Sequence, residues 1–244
     1  MTAAIDSSTT LADLVTGHPE LASELERRSL DYCCGGSRTL AEACAARDLD
    51  PVVVARELGA KASPAAPPPA WTHLDAASLV DYIEDTHHAF LHLELPRITA
   101  LAAKVHGVHG PAHPELAVVE STFGQLRDEL EPHLAKEEEI VFPMIRRLPA
   151  DGGTSAHPDT LQGPIAQLLR EHDHAGELLE RLRLLTGGYR VPSDGCASYR
   201  ALYEALEALE ADTHLHVHIE NNRLFPMVAD LASRTDAPTV GSQR

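Results

Sequence analysis

Apolar residues recur at helical spacing along most of the chain, and polar or proline-rich breaks divide it into two parts. In residues 1–61 the apolar runs are short, and Thr10 and Thr39 stand where helix N-caps are expected. The helix after Thr39 is predicted to run to Leu49, and Pro51 opens a further helix that ends at Gly59. These runs predict a small helical N-terminal domain.

Residues 73–232 carry four much longer helical stretches, predicted at 75–105, 114–148, 161–186 and 197–232. Four antiparallel helices of this length form an up-down four-helix bundle, so the fold class is all-α. Prolines inside these stretches are expected to kink or end the helices, at Pro96, Pro132, Pro143 and Pro226. The proline-rich segment 62–72 is predicted to be a stiff linker, and 233–244 to be a polar, disordered tail.

An internal repeat lies within the predicted bundle. A His and a Glu four residues apart precede Phe-Pro-Met in two places, as His133 with Glu137 and as His216 with Glu220, at an offset of 83 residues. A second pair of matching positions, His88 and His172, has an offset of 84 residues. Each copy therefore reads as a helix with one His followed by a helix with His-x-x-x-Glu.

The repeat supplies ligands suited to a pair of metal ions. Residues i and i+4 share one face of a helix, so each His-Glu pair can bind one ion, or its carboxylate can bridge two. With His88 and His172 from the other two helices, the set has four imidazoles and two carboxylates. Donors of this kind without sulfur suit Fe, Mn or Zn, and bridged sites of higher coordination favour iron. His87 remains an alternative to His88, and His174 remains an alternative to His172.

Acidic residues precede both His-Glu pairs by one turn. Glu129 lies four residues before His133, and Asp212 lies four residues before His216. Each could accept a hydrogen bond from a ligand imidazole or line an access path, or could simply be solvated. The sequence does not choose among these roles.

The turn between the second and third N-terminal helices carries Cys33 and Cys34, followed by Gly35 and Gly36. Adjacent cysteines pair with each other only under strain, whereas thiolates bind soft or borderline metals and react with oxidants. This chemistry leaves two interpretations of Cys33 and Cys34 open: inert thiols and functional thiols.

Charge and composition narrow the classes of partner. The net charge of −17 argues against nucleic acid or an anionic membrane as the main partner. No apolar run is long enough to span a bilayer, and the N-terminus has no signal sequence, so a cytoplasmic location is expected.

Several segments together resemble the di-iron proteins that repair iron–sulfur clusters, the RIC family, in which a small N-terminal domain precedes a hemerythrin-like bundle. The segments are Leu30-Asp31-Tyr32-Cys33-Cys34-Gly35-Gly36, His87-His88, Lys104-Val105-His106-Gly107, His133-Leu134-Ala135-Lys136-Glu137-Glu138, Glu171-His172-Asp173 and His216 … Glu220-Asn221-Asn222. The resemblance covers nearly the whole chain.

This resemblance implies two Fe ions in an oxo-bridged di-iron centre. It implies iron ligands at His88, His133, His172 and His216 and bridging carboxylates at Glu137 and Glu220. It also makes Cys33 and Cys34 functional thiols and places Glu129 and Glu171 beside the centre.

The implied function is the repair of iron–sulfur clusters damaged under nitrosative or oxidative stress, by donation of iron. The partners would be damaged iron–sulfur proteins, with nitric oxide or oxygen as small ligands, and a second copy of the chain in a homodimer. Alternatives are an enzyme that couples nitric oxide molecules at the di-iron site, a hemerythrin-like sensor of oxygen or nitric oxide, and a metal-free helical scaffold.

Overall fold

A computed structural model describes residues 5–63, 69–148 and 159–235. Within these ranges the chain is helical and forms no β-strand, apart from one isolated antiparallel bridge between Thr10 and Thr39. The predicted all-α fold is confirmed. The tail beyond residue 235 and the centre of the proline-rich segment, 64–68, lie outside the described residues.

The N-terminal domain consists of α1 (Leu11–Gly17), α2 (Ala22–Glu26), α3 (Leu40–Ala45) and α4 (Pro51–Lys61), with a short 3₁₀ turn, Pro19–Leu21, before α2. Thr10 caps α1, and Thr39 forms a reciprocal capping box with Glu42 at the start of α3. The expected extension of α3 to Leu49 was wrong. Asp48 adopts a left-handed conformation (φ 54°), and the Leu49 N–H bonds back to the Cys44 carbonyl, which ends the helix.

The bundle contains four long helical rods. Three of them have a single π-helical turn between two α-helical parts. The first rod is α5 (Ala76–Ile83), a π turn (Glu84–His88) and α6 (Ala89–His109); the second is α7 (Glu115–Lys136), a π turn (Glu137–Val141) and α8 (Phe142–Arg146); the third is α9 (Asp159–Leu185); the fourth is α10 (Ala197–Ile219), a π turn (Glu220–Leu224) and α11 (Phe225–Thr235). The rods follow the predicted stretches with shifts of a few residues at their ends.

The rods form an antiparallel ring. Successive rods pack against each other in chain order, and the first also packs against the fourth. Arg146, at the end of the second rod, pairs with Asp81 and Glu84 at the start of the first. His109, at the end of the first rod, contacts Cys196 at the start of the fourth. This arrangement is the predicted up-down topology.

None of the four prolines named above ends a rod. Pro96 and Pro132 lie inside continuous helices. Pro143 and Pro226 each follow a π turn and occupy the second position of the helix that restarts there. Because a proline has no N–H for the carbonyl four residues earlier, the widened turn accommodates it without ending the rod.

Two apolar clusters fill the bundle, and one further cluster fills the N-terminal domain. Each rod carries a buried polar residue where it passes from one bundle cluster to the other. These residues are His88, between Ile83 and Leu91; Glu137, between Leu134 and Val141; His172, between Leu168 and Ala175; and His216, between Leu209 and Ile219. The apolar layers therefore enclose a polar centre from both ends of the bundle.

The N-terminal domain packs on the fourth rod. Val217, on α10, belongs to the apolar core of the N-terminal domain. His218 is buried beside it and contacts the Thr16 hydroxyl (3.2 Å) and the Tyr32 carbonyl (3.3 Å). Trp71 lies in the short 3₁₀ helix Ala70–His73 and is buried in the bundle core. The end of the proline-rich segment is therefore packed against the bundle. Among the described helices, none is long and apolar enough to cross a bilayer.

Candidate metal centre

The four histidines and two glutamates of the repeat meet in the polar centre of the bundle. All six side chains are buried, with exposed fractions of at most 3%. Their donor atoms form two groups, each with all atoms within 4.8 Å of one another. One group contains His88 and His216, the other His133 and His172, and both carboxylates belong to both groups.

The π turns place the two glutamates. Glu137 and Glu220 are the first residues of their π turns, and their carbonyls accept the N–H of Phe142 and Phe225, five residues later. The preceding α-helical turn keeps His133 and His216 on the same face as the glutamate four residues on. π turns of this kind are frequent at functional sites.

Each carboxylate contacts both groups, one oxygen to each. Glu137 Oε2 lies 3.4 Å from His88 Nε2, and Glu137 Oε1 lies 3.3 Å from His133 Nε2. Glu220 repeats the pattern, with Oε1 at 3.1 Å from His216 Nε2 and Oε2 at 3.1 Å from His172 Nε2. This geometry suits two carboxylates that bridge two cations.

The imidazoles also face each other through the nitrogens that metals use. His88 Nε2 lies 3.2 Å from His216 Nε2, and His133 Nε2 lies 3.1 Å from His172 Nε2. All four oxygens of Glu137 and Glu220 are buried, and apart from these imidazoles no donor approaches them. Buried carboxylates without donors are costly unless a cation compensates them, so the donor set fits a pair of metal ions.

The outward Nδ1 atoms of three of the histidines are held by acceptors. His88 Nδ1 bonds to Glu138 (2.9 Å), and His172 Nδ1 bonds to Asn221 (2.8 Å). Sequence reasoning did not assign a role to either acceptor. A signal was present, because each directly follows a repeat glutamate and so occupies the same place in the two copies.

Glu171 holds a third imidazole, accepting the Nδ1 hydrogen of His133 at 2.9 Å. It also pairs with Lys136 and accepts from Gln167. In the repeat, the position of Glu171 corresponds to His87, which stacks on the ring of His216 with centroids 5.6 Å apart. His216 Nδ1 therefore has no hydrogen-bond partner, and the two halves of the centre differ.

The electrostatics of the centre favour positive charge. Burial opposes a charged imidazole at His133, but Glu137, Glu220 and Glu171 outweigh it and raise the pKa of His133 to about 9. Burial likewise opposes ionisation of Glu220, yet His216 and His172 hold its pKa well below the usual range. Burial is also outweighed at Glu171, where Lys136 and His133 lower the pKa to about 2. The anionic carboxylates thus attract cations.

Other acids and histidines considered from the sequence lie farther out. Glu129 does not contact His133 Nδ1; it pairs with the exposed His174 at 2.7 Å. Glu129 does line a small cavity that also borders His133, His172 and His216. Asp212 contacts His87 Nδ1 at 2.9 Å rather than a member of the two groups.

Cys33 and Cys34 lie where the N-terminal domain meets the bundle, outside the His-Glu groups. Cys33 is buried and Cys34 is partly exposed. Asn221 connects the two regions: its amide oxygen contacts His172, and its amide nitrogen lies 3.5 Å from the Cys33 carbonyl and 4.0 Å from Cys34 Sγ.

Comparison with known proteins matches both parts of the chain. Residues 78–228 match the Hemerythrin HHE cation binding domain, and residues 7–62 match a Domain of Unknown function (DUF542). The iron-sulfur cluster repair protein ScdA of Staphylococcus haemolyticus is 33% identical over 221 residues, covering 91% of this chain and 98% of the relative. The iron-sulfur cluster repair protein YtfE of Escherichia coli O157:H7 is 34% identical over 216 residues, covering 88% of this chain and 94% of the relative.

Proposed function

The chain belongs to the family of two-domain iron–sulfur cluster repair proteins, and we propose that it restores damaged clusters by donating iron from a buried pair of iron ions. The ligands in this proposal are His88, His133, His172 and His216 with bridging Glu137 and Glu220. One observation supports it above all: each glutamate directs one oxygen to each of two His pairs.

The donor set favours iron over other cations. Imidazole and carboxylate suit iron, and no thiol lies within either His-Glu group of the described residues. Zinc prefers closed tetrahedral sites, whereas two bridging carboxylates suit a higher coordination number. Bound iron would be held less tightly by this mixed donor set as ferrous than as ferric ion, so one-electron reduction of each ion by an external electron donor would make ferrous iron the cargo.

The protein's own residues hold the imidazoles in position for this task. Acceptors at Glu138, Glu171 and Asn221 keep the Nδ1 hydrogens on the outer side, so that each Nε2 lone pair faces the centre. The apolar clusters above and below exclude water from the carboxylates. Buried acids and bases fixed in this way lose little further entropy when a cation binds.

Glu129 lies beside the centre and attracts cations to it. It is about one-third exposed and shares its cavity with three of the four ligand histidines. A carboxylate in this position attracts a cation without contacting the ligand nitrogens, which separates the role of Glu129 from that of Glu171. Damaged iron–sulfur proteins are the proposed recipients.

Transfer of labelled iron tests this function. The protein is loaded with ⁵⁷Fe and mixed with an enzyme whose iron–sulfur cluster has been inactivated, and both enzyme activity and label in its cluster are measured. Reactivation is expected with label from the donor. Donor protein carrying Glu137→Leu and Glu220→Leu should restore nothing, while Val118→Ala, an exposed change on α7, should behave as the parent. Reactivation by the double variant, or a restored cluster without label, would overturn the proposal.

A further inference from the structure

We propose that Asp31, Cys33 and Cys34 form a separate binding site for one soft or borderline divalent cation, between the N-terminal domain and the bundle. The proposed function is the only ground for naming ferrous iron as the natural cation, held there on its way out of the protein. The site itself follows from the geometry of the three side chains.

The three donor atoms already lie at metal-ligand spacing, all within 4.8 Å of one another. Cys33 Sγ and Cys34 Sγ are 3.9 Å apart, and Cys33 Sγ is 3.2 Å from Asp31 Oδ1. Two thiolates on one tetrahedral ion, with bonds of about 2.3 Å, lie about 3.8 Å apart. The observed sulfur separation therefore matches a shared ion, whereas a disulfide between the two would require the sulfurs to approach to about 2 Å.

The backbone of the turn fixes this arrangement. Asp31 Oδ1 accepts the N–H groups of Cys33 and Cys34 at 3.0 Å each, and Asp31 Oδ2 accepts the Gly35 N–H at 2.8 Å. A Cβ at Gly36 would lie 2.6 Å from the Tyr32 carbonyl, so the chain can take this path only with glycine there. Asp31 Oδ1 also accepts the Cys33 S–H, and a cation would take the place of that hydrogen beside Oδ1, while Oδ2 keeps its bond to the Gly35 N–H.

Asn222, on the ligand-bearing fourth rod, holds the turn in place by donating its amide hydrogen to the Cys33 carbonyl at 3.0 Å. The neighbouring Cys34 thiol, burial and the Asp31 carboxylate together raise the pKa of Cys33 well above its ordinary value. That repulsion among potential anions is what a divalent cation would relieve, since it favours the thiolates over the thiols.

A cavity of about 370 Å³ gives the site access from outside. It is lined by residues of both domains, and its wall contains more carboxylates than cations. The acidic residues are Glu26, Asp31, Asp173, Glu177, Glu180 and Glu210, against the cations Arg47 and Arg183. Both arginines are paired with lining glutamates, Arg47 with Glu180 and Arg183 with Glu210. A concave surface with this imbalance concentrates cations.

The site lies one side chain from the metal centre. Asn221 contacts His172 Nδ1 with its oxygen (2.8 Å), and its amide nitrogen lies 4.0 Å from Cys34 Sγ. Asp173 and Glu177, which line the cavity, follow His172 on α9. An ion at the thiols would therefore lie between the bundle and the cleft, where a recipient protein can reach it.

Cobalt titration tests the site directly. The protein is first loaded with iron and then titrated with Co²⁺, and the thiolate-to-cobalt charge-transfer absorption is recorded. All proteins carry Cys196→Ser, because Cys196 Sγ lies 3.2 Å from His109 Nε2 and could itself bind cobalt. We expect one further Co²⁺ per chain with this absorption, lost in Cys33→Ser and in Cys34→Ser, and shifted to higher cobalt concentration in Asp31→Asn. Cys44→Ala, a thiol on α3 outside the group, should leave the titration unchanged.

A second measurement avoids altering the turn. With the two cysteines intact, bound Co²⁺ should protect Cys34, the partly exposed thiol, from alkylation, and removal of cobalt with a chelator should restore its reactivity. Absence of the charge-transfer band, or alkylation that cobalt does not slow, would overturn the site. The Glu137→Leu, Glu220→Leu protein separates this inference from the proposed function: the thiol site should still bind cobalt there, although iron donation is lost.

Discussion

His172 donates its Nδ1 hydrogen to the side-chain oxygen of Asn221 over 2.8 Å. Asn221 directly follows Glu220, just as Glu138, the acceptor for His88, directly follows Glu137. Each π turn therefore provides a glutamate shared by the two His-Glu groups and then an acceptor that orients a histidine from another rod. The proposed ligand set thus consists of two related half-sites.

Replacement of Asn221 by Leu should weaken metal binding without unfolding the bundle. The change leaves the His172 Nδ1 hydrogen without an acceptor, and loss of such a partner lowers metal affinity by about 10–100-fold. Competition with a chromophoric chelator measures the affinity. Asn222→Ser is the matched control, because Asn222 contacts the Cys33 carbonyl and His218 rather than a ligand of the centre. Equal affinities in the parent and in Asn221→Leu would contradict the assignment.

Glu171 and Glu129 should have separable effects. Glu171→Gln removes the charged acceptor of His133 Nδ1 and should reduce affinity by about tenfold or more. Glu129→Gln leaves that hydrogen bond intact, so equilibrium affinity should stay near the parent value while release of iron to a chelator becomes slower. Stopped-flow chelation together with equilibrium competition distinguishes the two. The reverse pattern would show that Glu129, rather than Glu171, orients the histidine.

Removal of Glu137 and Glu220 should stabilise the metal-free protein. Both are fully buried, and without metal only the imidazoles around them offset their charge. Glu137→Leu with Glu220→Leu replaces these acids by apolar contact, and burial then favours the neutral imidazoles, so the buried ion pairs are removed whole. A gain of about 1–4 kcal/mol in the free energy of unfolding is expected from urea denaturation. Iron should raise the unfolding midpoint of the parent and leave that of the variant unchanged. A metal-free variant less stable than the parent would argue against this balance.

Cys196 should be alkylated at a lower pH than Cys33. Cys196 occupies the N-cap position of α10, and the Tyr199 N–H together with His109 lowers its pKa to about 7. Because the thiolate is the reactive form, its rate with iodoacetamide should rise with pH and reach half its maximum near pH 7. Cys33, whose pKa is raised, should remain unmodified at that pH in the metal-free protein. Mass spectrometry of digested peptides gives both rates, and equal labelling of the two at pH 7 would contradict the prediction.

The repeat made the bundle and its polar centre predictable from the sequence. A His and a Glu at positions i and i+4 must share a helix face, so two such pairs at a matching offset placed two helices in register around one centre. The offset of 84 residues favoured His88 over His87, and in the structure His88 Nε2 faces Glu137 while His87 stacks beside His216.

Contacts between rods were less accessible to sequence reasoning. Glu171 reaches His133 across 38 residues of chain, whereas Glu129, which shares a helix face with His133, turns to His174. Spacing along one helix identifies neighbours on that helix only. The π turns were also missed, because a proline indicates a break in the hydrogen-bond ladder but does not say whether the helix ends or widens.

The position of the N-terminal domain depends on side chains that no periodicity singles out. Val217 lies on the bundle yet completes the core of the N-terminal domain, and His218 bonds to its backbone. Helical spacing predicts that such residues are buried but not which partner buries them. The proximity of the cysteine turn to Asn221 follows from this docking.

Anomalous diffraction at the iron edge, from crystals of the protein loaded with iron, tests the central claim most directly. We expect two anomalous peaks per chain, about 3.5–4 Å apart, between the carboxylates of Glu137 and Glu220. One peak should adjoin His88 and His216, and the other His133 and His172. A single peak, peaks outside the bundle, or glutamates turned away from the iron would contradict the account.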